Sequence, residues 1–172
     1  MSGDHTKRFD RLPQTDNGDG GLSRSAVLSW WDRQYGIPPT TFEPYTFWER
    51  GRGKIWAFAG SVNDPCPFDG LGMHVLRAGD GPWKPTTTAA QRFGKAATKN
   101  VLELPPPAAR RFVAGETQVV TWSGEWGYVL VATSVGGRRT ILGVGHHHSG
   151  ELKSQIPKGR QRALSWFPEQ RF

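Results

Sequence analysis

The chain has 172 residues, of which 36% are hydrophobic, so it has room for one large or two small domains with a packed core. Its 22 basic and 15 acidic side chains give a net charge of +7, which favours a polyanionic partner or an anionic membrane surface without choosing between them. The single cysteine excludes an intramolecular disulfide framework and a cysteine-based zinc finger. Apolar runs interrupted by Gly or charge, and a polar start, predict a cytoplasmic protein without a membrane partner.

The first elements in chain order are an arm and a helix. Residues 1–23 are rich in Asp, Gly, Asn and Pro, which predicts a flexible arm, although Phe9 and Leu12 are placed to dock either on the fold or on a partner. The stretch "LSRSAVLSWWDRQYGIPP" predicts a helix that is capped by Ser23 and ends at Gly36. One face of this helix is apolar and carries Val27, Leu28, Trp31 and Tyr35.

Alternation and turn residues predict the rest of a first α+β domain, 24–99. "YTFWERGRGKIWAFAG" is typical of a β-hairpin with a basic tip. A Pro/Gly loop over 61–72 leads to a short strand in "MHVLRAGDG". "TTTAAQRFGKAATKN" then predicts a helix with Thr86 or Thr87 as its cap.

A second domain, 100–160, is predicted to be mostly β. "NVLELP" indicates a strand, and "PPAARRFVAGE" a short helix entered through prolines and closed by Gly115. Strands follow in "TQVVTW", "WGYVLVATS", "RTILGVGHHHS" and "GELKSQIPKG". Short turns between strands, with one early helix, predict a small mixed β-barrel. Residues 161–172 form a basic, aromatic tail, either a short helix or a docking segment.

The order of "NVLELPPPAARRFVAGE" and "ILGVGHHHSGELKSQIPKGR" resembles the PUA domain, an RNA-binding pseudobarrel of RNA-modifying and ribosome-assembly proteins. The resemblance extends over residues 26–162, which are similar to the C-terminal extension of Sun/Fmu-type RNA cytosine-5 methyltransferases. In the first domain it rests on the stretches "FWERGRGKIWAF", "VLRAGDGPWKPTT" and "QRFGKAATKN". The resemblance implies an α+β fold, with a small α/β pre-PUA unit followed by a PUA-like mixed β-barrel. It also implies a stand-alone archaeal, ribosome-biogenesis-like family without a methyltransferase domain.

The chain departs from these methyltransferases where their chemistry resides. They need an S-adenosylmethionine-binding domain of about 200 residues, which does not fit here, and they use two cysteines. In "NDPCPFDG" Cys66 has no second cysteine, and Pro67 follows it. We interpret Cys66 as a small side chain without a catalytic role, and we predict neither catalysis nor a cofactor. A minimal enzyme centred on Cys66 or on the three histidines is the alternative.

The run of histidines in "GVGHHHSG" is the second candidate for chemistry. On a strand, His146 and His148 project to one side and His147 to the other. Two imidazoles on one face are fewer than the roughly four ligands of a structural zinc site, so we predict no metal. We expect His147 or its neighbours to contact RNA instead, since bases stack on imidazole.

Basic residues form the predicted RNA-binding surface. Each of them alone is typical of a solvated surface, but together they outnumber the nearby acids and form one positive face if the two domains pack side by side. The residues are Arg50, Arg52, Lys54, Lys84, Arg92, Lys95, Lys99, Arg138, Arg139, Lys153, Lys158, Arg160 and Arg162.

Aromatic residues divide into candidate contacts and candidate core. Trp83 and the pair Trp166–Phe167 adjoin basic residues and are candidates for stacking on bases. The other large rings are assigned to the core, because a small protein needs them to bury enough area. The rings assigned to the core are Trp31, Trp56, Phe58, Trp122 and Trp126.

These observations favour a non-catalytic, monomeric RNA-binding protein. Ribosomal RNA is the preferred ligand over tRNA, bound by a ribosomal component or a ribosome-associated or biogenesis factor, with ribosomal proteins as further partners. The resemblance implies that the Gly115 region and the "GVGHHHSGELK" strand form the rim of the binding surface. The alternative is an accessory subunit that targets a tRNA or rRNA modification enzyme to its RNA.

Overall fold

The structure, a computed structural model, describes residues 8–60, 62 and 70–164, with side chains as far as residue 161. The chain divides into two compact units, Met1–Lys99 and Asn100–Phe172. Within the described residues, no helix is both long enough and apolar enough to cross a membrane.

The sheet of the first unit is a five-stranded antiparallel meander, with the strands side by side in chain order. The strands are β1 (Asp10–Arg11), β2 (Tyr45–Glu49), β3 (Lys54–Ala59), β4 (Met73–Arg77) and β5 (Lys84–Pro85). The hairpin predicted around Gly-Arg-Gly-Lys is confirmed as β2 and β3. Because every pair is antiparallel, the first unit is α+β, as its sequence pattern predicted, and not the α/β unit that the resemblance implied.

Side-chain caps begin both α-helices of the first unit. Helix α1 (Arg24–Tyr35) is capped by Ser23, whose Oγ accepts a hydrogen bond from the Ala26 N–H at 3.1 Å. It ends at Gly36, whose φ of 63° lies in the left-handed region. Thr86 caps α2 (Thr87–Phe93) in the same way. Both α-helices predicted for this unit are therefore confirmed. Two short 3₁₀ segments, Pro39–Phe42 and Gly94–Ala96, follow them in the chain.

The N-terminal segment is part of the fold from residue 8 onward. Phe9 is fully buried and packs with Trp48 and Leu71 in one cluster. β1 pairs with β2, and the Leu12 N–H donates to the Phe47 carbonyl at 2.9 Å. The prediction of a flexible arm is therefore wrong around Phe9 and Leu12, because these two apolar side chains dock on the fold.

The second unit contains a mixed five-stranded sheet and two helices. They are β6 (Val101–Glu103), α3 (Pro106–Val113), β7 (Thr117–Val119), β8 (Gly127–Val135), β9 (Arg138–His148), β10 (Glu151–Ser154) and α4 (Lys158–Leu164). The spatial order is β6-β8-β9-β10-β7, with only the β6–β8 pair parallel. Among the described residues the edge strands β6 and β7 do not pair, so the sheet is mixed as predicted but is not seen as a closed barrel.

One face of this sheet packs against α3. Phe112 is fully buried there among Val129, Val131 and Leu152. A Cβ at Gly145 would collide with Leu152 and crowd Phe112, which explains glycine in the centre of β9. The opposite face, toward the start of β8, is open to solvent at Trp126 and His148.

Candidate nucleic-acid interface

Four rings lie in consecutive contact on the open face of the second unit. Tyr128 is directly opposite His146 on β8 and β9, with ring centroids 5.0 Å apart. His146 stacks on His148, at 6.3 Å and with an angle of 11° between the planes. His148 contacts Trp126 edge-to-face at 5.1 Å. Trp126, Tyr128, His146 and His148 are called the ring ladder below.

The ring ladder is exposed at its Trp126 end. Trp126 is 68% exposed, which corrects its assignment to the core. The reason is its place before β8, on the sheet face that α3 does not cover. Trp122 in the same loop is half-buried against the α3 cluster, and its Nε1–H donates to the Glu125 carbonyl at 3.1 Å. Two tryptophans four residues apart thus have opposite environments.

Charged residues of β10 border the ring ladder. Lys153 is opposite His146 and Glu151 is opposite His148, so both are on the face that carries the rings. Val119 of β7 pairs with Glu151 and is 84% exposed. The surface thus offers flat rings beside one cation and one carboxylate. Unpaired bases stack on such rings, and a lysine ammonium contacts phosphate.

His147, which the sequence analysis named with its neighbours as a candidate RNA contact, is not part of this surface. Its side chain is only 2% exposed, because it points to the opposite side of β9 from the ladder. The ring Nε2 lies 3.2 Å from the Val120 carbonyl. The predicted alternation is confirmed, but the imidazoles that solvent reaches are those of His146 and His148. No group of three or more metal-ligating side chains occurs within the described part of the chain.

The first unit places three cations side by side on neighbouring strands. Lys54 of β3 is opposite Arg77 of β4, and Arg77 is opposite Lys84 of β5. Lys54 and Arg77 are exposed, and Lys84 is half-buried. We call these three residues the cation row. Lys54 and Lys84 were predicted from sequence, whereas Arg77 was missed because its partners are 23 and 7 residues away and only the strand register brings them together.

The charges of the cation row change the ionisation of nearby groups. Burial lowers the pKa of Lys84 from its ordinary value, and the Arg77 charge lowers it further. Burial is also the main cause that lowers the pKa of His74. A backbone hydrogen bond with Leu76 acts in the opposite direction and raises this pKa, whereas the charges of Arg77 and Lys54 lower it further. The His74 ring stacks on Trp56 at 5.2 Å.

Other predicted basic residues of the first unit make contacts within it. The Arg50 guanidinium lies 5.2 Å from the centroid of the Phe9 ring. Arg52 forms an exposed ion pair with Asp80 at 3.3 Å. Arg92 donates a hydrogen bond to the Tyr45 hydroxyl, and Lys99 donates one to the Arg33 carbonyl. The half-buried Trp83 ring contacts Trp30, with ring centroids 5.8 Å apart. Lys95 is exposed.

Of the predicted basic residues of the second unit, Lys153 borders the ring ladder, whereas two arginines lie away from it. Arg138 and Arg139 follow the Gly136–Gly137 turn, at the far end of the β8–β9 hairpin. At about 3.4 Å per residue, β8 separates that turn from the ladder end by about 25 Å. Lys158 and Arg160 are exposed on α4. Cys66, the Arg162 side chain, Trp166 and Phe167 are outside the described residues.

Comparisons with known families assign the two units differently. Residues 99–162 match the methyltransferase RsmF PUA domain, and residues 1–72 match a family of unknown function, DUF7122. No curated protein matches the chain. The pre-PUA resemblance of the first unit therefore stays a prediction. The second unit, which carries the whole ring ladder, is a PUA-like domain related to that of the Sun/Fmu methyltransferases, and PUA domains generally bind RNA.

Proposed function

We propose that this protein binds RNA without catalysing a reaction, and that the ring ladder stacks on unpaired bases. One observation carries the proposal: four rings in unbroken contact, exposed at the Trp126 end, within the residues that match a PUA domain. Protein surfaces that bind unpaired nucleotides combine such rings with nearby cations. Lys153, opposite His146, supplies a cation for the phosphate backbone.

The ligand that fits this surface is a structured RNA with an accessible loop or bulge. Sequence-specific RNA recognition targets such unpaired bases, because the major groove of an RNA duplex is too narrow for side chains. The net charge of +7 supports a large polyanion. We propose ribosomal RNA first and tRNA second, bound in the cytoplasm by a monomeric ribosomal component or by a ribosome-associated or biogenesis factor.

The test compares variants of the full chain in binding a fluorescent single-stranded adenylate oligonucleotide, followed by anisotropy. Replacing both exposed rings, Trp126→Ala with His148→Ala, is expected to weaken binding about tenfold or more, because each stacked base contributes about 1–3 kcal/mol. Val135→Ala is the matched control, since Val135 is exposed at the far end of the same hairpin. Equal affinities of the double variant and the control would overturn the ladder as the binding surface.

A second candidate function is an accessory subunit that delivers RNA to a modification enzyme. It is favoured by the match of the second unit to a PUA domain that belongs to a methyltransferase. Sucrose-gradient fractionation after a high-salt wash separates the two functions. Migration with a ribosomal subunit supports the ribosomal role, whereas release to the top fractions together with a modification enzyme supports the accessory role.

A further inference from the structure

The cation row is an unusual arrangement for a β-sheet. Adjacent strands are about 4.8 Å apart, so Lys54, Arg77 and Lys84 are held on three neighbouring strands within about 10 Å. Like charges directly opposite each other destabilise a sheet. In the described part of the chain, no carboxylate forms an ion pair with Lys54 or Arg77, and Asp80 pairs with Arg52 instead. The sheet therefore bears a repulsion that a bound anion would relieve.

The ionisation of neighbouring groups supports the same conclusion. Arg77 contributes to the lowered pKa of Lys84, which is opposite it on β5, and of His74, which is on its own strand β4. A positive field of this kind attracts anions to the strand ends of the first unit. Removing the field by neutralisation or by anion binding must raise both pKa values.

The geometry of the row favours a chain of phosphates over a membrane surface. The two cations Lys54 and Arg77 are exposed, as an extended polyanion requires. Membrane-surface binding combines cations with exposed apolar side chains that enter the bilayer. The exposed large hydrophobic residues among those described are Val119, Trp126 and Val135, and all three belong to the second unit.

We propose that the cation row of the first unit binds the phosphodiester backbone of RNA, independently of base identity. This inference rests on the proposed function in that RNA is the ligand, but it assigns a separate site to the unit that matches a family of unknown function. Phosphate contacts fix the position of a protein on RNA and carry no sequence information. The row would increase the affinity for RNA and its dependence on salt, and the ring ladder would select the unpaired bases.

The first experiment measures the salt dependence of binding to a single-stranded uridylate oligonucleotide by the full chain. Lys54→Gln with Arg77→Gln is expected to weaken binding about tenfold and to reduce the slope of log K against log salt by about 1.4, since each phosphate contact on single strands contributes about 0.7. Arg33→Gln, exposed on α1, is the control that removes one charge outside the row, and it should lower the slope by less than half as much. An unchanged slope in the double variant would overturn the proposal.

A second experiment does not depend on RNA at all. Inorganic tripolyphosphate is titrated into the full chain while the His74 ring is followed by NMR across pH. Binding at the row is expected to raise the pKa of His74, and Arg77→Gln is expected to abolish that response, because the anion then has no central cation to occupy. A response equal in the parent and in Arg77→Gln would contradict the site.

The outcomes distinguish this inference from the proposed function. Loss of affinity in the Trp126 and His148 variant, with no effect of the row variant, supports the ring ladder and refutes the row. If the row variants lose uridylate affinity and the tripolyphosphate response, while the Trp126 and His148 variant binds RNA as the parent does, the row is supported and the ladder is refuted. Binding to anionic lipid vesicles that is stronger than to RNA, and that is lost in the row variant, replaces RNA by a membrane and overturns the proposal.

Discussion

The two units use the same residue types in opposite ways. In the first unit the large rings of Trp31 and Trp48 are buried, and the sheet offers cations at its strand ends. In the second unit Trp126 is exposed, and the sheet offers rings with one neighbouring lysine. Aromatic and basic residues are interleaved in both sequences. What differs is which side chains of each sheet solvent reaches.

Under the two proposals, one basic, aromatic composition provides two kinds of contact with RNA. A row of cations binds phosphates and loses affinity steeply with salt. A ladder of rings binds bases and depends on their stacking strength. We therefore expect variants of the cation row to change the salt dependence of RNA binding, and variants of the ring ladder to change the affinity without changing that dependence.

The largest effect is expected when the packing beneath the ring ladder is removed. Phe112→Ala deletes a fully buried ring that packs next to Gly145 on the inner face of β9. We expect a loss of about 3–5 kcal/mol in the free energy of unfolding, because the cavity adds to the lost burial. Urea denaturation followed by circular dichroism measures it, with Val135→Ala as the exposed control on the same sheet. A loss under 1 kcal/mol would show that the α3 packing is not what holds this sheet.

The next effect separates stacking from charge on the ring-ladder face by the salt dependence of binding. Trp126→Ala alone is expected to weaken adenylate binding by about 1–3 kcal/mol, with an unchanged slope against log salt, because it removes stacking without removing charge. Lys153→Gln is the matched variant that removes charge from the same face. It should lower the slope by about 0.7. If Trp126→Ala alters the slope as much as Lys153→Gln does, the distinction between rings and cations fails.

A smaller effect concerns the way helices begin in the two units. Helix α1 depends on the Ser23 side chain, whereas α3 starts through prolines without a side-chain cap. Ser23→Ala is expected to cost about 1 kcal/mol of stability, because the Ala26 N–H loses its partner. Ser29→Ala, exposed within the same helix, should cost nothing measurable. Thermal unfolding compares the two, and equal melting temperatures would contradict the capping role.

The smallest effect is a pH dependence of the first unit. Because the pKa of His74 is lowered on folding, the unfolded chain binds more protons than the folded one below about pH 6.5. Stability is therefore expected to fall as pH drops through that value, and to stop falling below the folded pKa. Urea unfolding at pH 7.5 and 5.5 measures this decrease. Arg77→Gln should shrink it by removing one cause of the shift, whereas a decrease unchanged in His74→Gln would assign it to another group.

Local patterns were sufficient for most of the elements, but not for the two-residue strands β1 and β5, which are defined by pairing with β2 and β4. Ser23 and Gly36 delimit α1 through a side-chain cap and a left-handed residue, both of which act within a few positions. Alternation in "RTILGVGHHHS" was enough to separate His147 from its two neighbours. These signals depend on dihedral angles and on contacts close in sequence, so they can be predicted without knowing the rest of the fold.

The tertiary structure alone decided which of those side chains meet and which of them solvent reaches. The cation row exists because two strand registers, with a shift at Ile55/Trp56, align residues far apart in sequence. His147 is buried and Trp126 exposed because α3 covers only one face of the second sheet. Alternation separates two faces but does not say which one another element will cover. That choice is made by burial of apolar area across the whole unit, a nonlocal free energy.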